Sequence, residues 1–168
     1  ETLQALARPR LAALLQAGVT TVEVKSGYGL SLAAELTQVE VARSLGPQQI
    51  VPTLLIHIVP DEYRDDRAAW VRVVCDELIP QAVGVHAVDV FCDVGAFTAT
   101  ESEAILRAAK AHGLGIKAHV EQLCATGFGA TAAALGALSL EHLEHADDAT
   151  ITAMAKAGTV AVLLPGAF

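Results

Sequence analysis

His57, His119 and His142 each close a short apolar run, in "TLLIH", "IKAHVEQL" and "LSLEHL". Tyr28 stands between two glycines in "KSGYGL". Imidazole is a common ligand of catalytic zinc and iron, in sites that keep one position open for water. A second imidazole beside that water can act as base or hold an oxyanion. One strand-end histidine is an ordinary polar residue; three sharing one mouth point to hydrolytic metal chemistry. Glu121 and Gln122, which follow His119, add hydrogen-bonding groups, and Glu121 shares the face of His119 unless the strand has already ended. For "KSGYGL" two accounts stand side by side. The glycines make a tight turn and Lys25 is an incidental cap on the next helix, or the loop presents the Tyr28 ring and hydroxyl to a small polar ligand. A phosphate loop is excluded, because neither G-x-x-x-x-G-K-[ST] nor G-x-G-x-x-G occurs.

The elements that must position these residues alternate along the chain. Strands are predicted near 20 to 26, 50 to 57, 87 to 93, 115 to 121, 138 to 143 and 158 to 165, as short apolar runs of the kind a covered parallel sheet uses. Helices are predicted near 2 to 17, 31 to 45, 67 to 83, 98 to 112, 126 to 136 and 147 to 157. Gly18, Gly46, Gly113 and Gly158 stand where helices should stop. Thr98 with Glu101 reads as a capping box, and Asp147 as the cap of the last helix.

Such alternation means right-handed β-α-β crossovers and an α/β fold, either an open doubly wound sheet or part of an eight-stranded barrel. The barrel segment is favoured, because a terminal apolar strand at "AVLLPGAF" would otherwise lie bare. In both architectures chemistry collects at the carboxyl ends of the strands, where Lys25 to Gly29, His57, Asp93, His119 to Gln122 and His142 fall. No linker or domain boundary stands out, so residues 1 to 168 are expected to form one unit.

Composition narrows the class. Apolar residues make up 53% of the chain and aromatics 4%, which predicts an interior of small and branched aliphatics. The net charge of −8 argues against a nucleic-acid partner. No basic amphipathic stretch suggests a membrane surface, and no apolar run is long enough for a span. Cys75, Cys92 and Cys124 are sparse and unpaired by spacing, which reads as a reduced, cytoplasmic setting.

The chain resembles the imidazolonepropionases, of the metal-dependent amidohydrolase superfamily, through "GVTTVEVKSGYGL", "HIVPDEY", "KAHVEQL", "LSLEHLEH" and "AGTVAVLLPGAF", in that order along nearly its whole length. The resemblance implies a (β/α)8 TIM barrel of the metal-dependent hydrolase type, with this chain supplying about strands 2 to 7 and their helices. It implies hydrolysis of the ring amide of 4-imidazolone-5-propanoate to N-formimidoyl-L-glutamate in histidine degradation, with one zinc or iron. By the same resemblance His119 is a metal ligand, Tyr28 and His57 bind substrate, Gln122 touches the substrate or the metal-bound water, and His142 assists proton transfer or polarises the carbonyl. A small-molecule substrate is expected, and a homo-oligomer.

Two departures from the family pattern matter. Its H-x-H metal pair and its metal-binding Asp on the last strand have no counterpart in this chain, so the isolated segment is expected to be inactive. Upstream of His57 the chain reads "TLLIH" where members usually carry a Gly-Ala, so fewer matching residues fix the register of His57 than that of His119. The rival readings are an amidohydrolase acting on another cyclic amide or amine, and a non-catalytic α/β binding domain.

Overall fold

Strand and helix alternate as the periodicity demands in the computed structural model, which describes residues 2 to 167. The order is α1 (Leu3–Gln16), β1 (Thr21–Lys25), α2 (Leu32–Arg43), β2 (Gln49–Ile56), α3 (Arg67–Val73), α4 (Ile79–Gln81), β3 (Ala87–Cys92), α5 (Ala99–Ala111), β4 (Gly115–Val120), α6 (Phe128–Ala134), β5 (Ser139–His142), α7 (Asp148–Ala157) and β6 (Val160–Val162). A short 3-10 turn (Asp61–Tyr63) precedes α3. A π-helical turn, Val74–Leu78, joins α3 to α4. Pro80 lies just beyond it, without an N–H to donate and with a ring that crowds the carbonyl four residues back.

The caps hold where expected. Thr98 and Glu101 form a reciprocal capping box, and the Asp147 carboxylate accepts the Thr150 N–H. Gly18, Gly113 and Gly158 take positive φ after their helices, whereas Gly46 does not: it precedes a cis Pro47, and Ser44 is the C-cap of α2. The last predicted strand is the largest misfit, with three residues paired rather than eight.

All six strands pair in parallel, in the order β1-β2-β3-β4-β5-β6. This order decides between the two architectures. A doubly wound sheet reverses its strand order and carries helices on both faces, whereas sequential right-handed crossovers place every helix on one face and curl the sheet. The result is a half-barrel. Under the helices, Leu54, Val88, Val90, Ile116, Ala118, Val120 and Leu140 are buried completely or nearly so, against Trp70, Phe97, Ile105, Leu106 and Phe128.

The other face is where the sequence reading needs correction. The strands are not uniformly apolar: "VEVK" in β1 and "IKAHV" in β4 alternate, and burial in β4 alternates with them. One face meets the helices and the other lines the lumen, so charge is confined to every second position. Among the described residues, no helix is long and apolar enough to cross a membrane.

Candidate active site

Charged side chains form a layer on the lumen face. Strand register sets Asp89 beside Lys117, and His119 beside Glu141. From β1, Lys25 reaches across to place its Nζ 2.7 Å from Asp89 Oδ2 and 2.7 Å from Glu141 Oε1. Lys117 pairs with Glu23 at 2.8 Å and with Glu141 at 3.1 Å. Lys25 is therefore not a helix cap; it is the internal counter-ion of two buried carboxylates.

The electrostatics follow from this packing. Burial pushes the Lys25 ammonium down, but Asp89 and Glu141 outweigh it and hold the pKa above the ordinary lysine value. Burial likewise pushes Asp89 up, and His119 and Lys25 reverse it to leave the carboxyl lowered. In Glu141 burial and the nearby Asp89 both raise, and Lys25 and His119 prevail to lower it. Both carboxyls are ionised at neutral pH.

His119 sits inside this layer. Its Nδ1 lies 2.9 Å from Asp89 Oδ1, so Nδ1–H donates to the carboxylate, which fixes the ring. When the ring is neutral, its Nε2 presents a lone pair 3.3 Å from Glu141 Oε2. A lone pair facing a carboxylate is repulsive unless a proton or a cation lies between them. The layer also carries three carboxylates (Glu23, Asp89, Glu141) against two ammonium groups, leaving one negative charge to offset. Asp89, His119 and Glu141 offer donor atoms all within 4.8 Å of one another. Because Lys25 already occupies both carboxylates, Nε2 of His119 is the donor best placed to bind a metal, with Asp89 orienting it. The residues present fit one side of a metal site.

The remaining sequence-derived residues surround this centre. The His142 ring lies 5.3 Å from that of His119, centre to centre. Strand parity alone aims His142 at the helices with Leu140; a φ of 78° at the strand end turns it away from that alternation. The Tyr28 ring stands edge-on to His57 at 4.7 Å. Among the described residues, neither ring nitrogen of His57 has a hydrogen-bond partner. Its pKa is lowered, chiefly by burial and further by His119, against the opposing pull of Glu35.

Glu121 leaves the site. The strand stops at Val120, and a φ of 55° at Glu121 turns its side chain under α6. There its carboxylate accepts the N–H groups of Thr126 and Gly129, at 2.7 and 3.0 Å. Gln122 enters through its backbone, whose N–H, with that of Leu123, is bonded by Asp93 at 2.9 and 2.8 Å. Burial would raise Asp93, but the N–H groups of Leu123, Val94 and Gln122 lower it overall.

Sequence reasoning missed Lys25 as an internal cation and missed Asp89 and Glu141 altogether. The signal was present: each carboxylate interrupts an apolar strand, in "AVDVF" and "LSLEHL".

Comparison with known proteins bears on the chain as a whole. No family model matches the chain. An imidazolonepropionase of Ectopseudomonas mendocina is 53% identical over the whole chain, and one of Deinococcus deserti is 51% identical over 99% of it. The chain is related, end to end, to the imidazolonepropionases. It spans 43% and 42% of the length of those two relatives. Among solved structures, an Arabidopsis ADAL complexed with IMP superposes with a TM-score of 0.72 at 14% identity, over 95% of this chain and 51% of that one. A prolidase complexed with N-methylphosphonate-L-proline gives 0.57 at 21%, over 96% and 47%. At such identities these likenesses speak for the fold alone, and the fold is a TIM barrel, of which this half-barrel is a segment.

Proposed function

We propose that the chain is the lumen-lining part of an imidazolonepropionase, hydrolysing the ring amide of 4-imidazolone-5-propanoate to N-formimidoyl-L-glutamate in histidine degradation. The observation that carries this reading is identity of about half the residues to proteins of that name along the whole chain. Residues 1 to 168 are one catalytic-barrel segment without a second domain. The protein is a cytoplasmic homo-oligomer acting on a small molecule, with neither nucleic acid nor membrane as partner; its net charge of −8 fits that choice.

His119 would hold the metal, zinc or iron, through Nε2, while Asp89 keeps the proton on Nδ1. When bound, such an ion polarises a carbonyl and makes water nucleophilic near neutral pH. Tyr28 and the neutral His57 bind the imidazolone and its propionate arm, and Gln122 contacts the substrate or the attacking water. His142, beside His119, moves the proton toward the leaving ring nitrogen. The other ligands lie outside this chain, so the isolated 168 residues are inactive.

The test uses the full-length gene product, loaded with zinc or iron. Wild type should open the imidazolone ring, and His119→Ala should lose both turnover and bound metal by elemental analysis. His142→Ala should cut kcat far more than it raises KM. A loaded wild-type enzyme that leaves 4-imidazolone-5-propanoate intact but hydrolyses another cyclic amide would overturn the substrate assignment.

A further inference from the structure

Glu35 is 2% exposed, sits in the first turn of α2, and has no cationic partner among the described residues. A buried carboxylate is costly unless its oxygens are bonded. Here they are bonded only by backbone: Oε2 accepts the Gly27 N–H at 2.8 Å, and Oε1 accepts those of Gly29 and Leu30 at 2.7 and 3.0 Å. Capping the helix does not require this, since Ser31 already accepts the Ala34 N–H as N-cap. The three clamped groups flank Tyr28 on both sides.

The loop is shaped for the clamp. A Cβ on Gly29 would lie 2.6 Å from the backbone of Ala34 and Glu35, so only glycine lets the loop rest on the helix. A Cβ on Gly27 would lie 2.9 Å from the His57 ring. Leu30 is held at a φ of 55°, a left-handed conformation that persists only under outside constraint. Tyr28 itself is 76% exposed, with the edge contact to His57 as its ring partner. An exposed aromatic on a backbone pinned at three points is pre-organised for a ligand, since the ordering cost is met before binding.

We propose that Glu35, which touches no ligand, is the positioning residue that fixes the Tyr28 ring against His57 for substrate binding. The proposal rests on the assignment of Tyr28 and His57 to the substrate made above. Charge and geometry both matter: a neutral amide would turn an N–H toward an N–H.

The experiment compares full-length wild type, Glu35→Gln, Tyr28→Ala and the double variant, with KM and kcat for 4-imidazolone-5-propanoate and amide exchange over residues 27 to 30. Glu35→Gln should raise KM about tenfold while kcat stays within about twofold, as loss of ground-state positioning does. The exchange of the Gly27, Gly29 and Leu30 amides should accelerate while the β-strand amides stay protected. The KM effect should vanish when Tyr28 is already alanine. Unchanged exchange in Glu35→Gln overturns the clamp, and a KM effect fully additive with Tyr28→Ala, or no KM effect, overturns the positioning role. If Tyr28→Ala alone leaves KM unaltered, the substrate-binding reading of Tyr28 fails, and the exchange data still decide the clamp by themselves.

Discussion

Three buried carboxylates, one in the first turn of α2 and two just beyond β3 and β4, do the same thing at different places. Glu35, Asp93 and Glu121 each turn inward to accept backbone N–H groups from a strand-end loop. Asp93 makes the arrangement measurable by pH. Its carboxyl is lowered in the folded protein, so its contribution is present above the ordinary aspartate value of about 3.9 and is lost as pH falls through the lower folded value. Asp93→Asn should cost about 1–3 kcal/mol at pH 7, and thermal unfolding of the two proteins should converge toward low pH. Lys25→Met should be more severe, by roughly 3–5 kcal/mol, because it strands Asp89 and Glu141 side by side. That deficit should shrink on acidification as a carboxyl takes up a proton; a deficit that stays constant with pH would show that lost packing, not charge, is responsible. Gly29→Ala should cost about 1–3 kcal/mol by overpacking against α2, read as a lower Tm.

At the scale of elements, helix ends are set by side chains local to them, which is why their positions could be read so closely from sequence. Thr98→Ala removes the capping box of α5 and should cost about 0.5–2 kcal/mol in thermal unfolding without altering the lumen. Strand ends are different. His119 keeps its strand alternation, whereas Glu121 and His142 depart from it through positive φ values. A slip of one residue in the pairing of β4 would exchange the faces of His119 and Val120, so the register with β3 and β5 matters more than the composition of the strand.

For the whole molecule, β1 and β6 end the sheet, and each has one side without a strand neighbour among the described residues. Val160 and Leu163 at that end are well exposed, as is Ile151 beside them. Open edges and apolar surface favour strand addition. The 168-residue chain expressed alone should therefore self-associate with rising concentration in sedimentation velocity. A monodisperse monomer at high concentration would show that the edges are protected in some other way.

Sequence by itself determined the alternation of strand and helix, the helix caps other than Gly46, and the placing of His57, His119 and His142 at strand ends. These are local matters of periodicity, propensity and turn chemistry, carried within about ten residues of chain. The choice of a sequentially ordered half-barrel over a doubly wound sheet was inferred from one bare strand and became decided only in the pairing order. The ion-pair layer was decided by tertiary structure alone. Lys25 and Glu141 meet across 116 residues of chain, and no local pattern tells a lysine which carboxylate will face it. The same holds for the aim of His142 and the withdrawal of Glu121, because a backbone turn into the left-handed region depends on what the surrounding loops can hold in place.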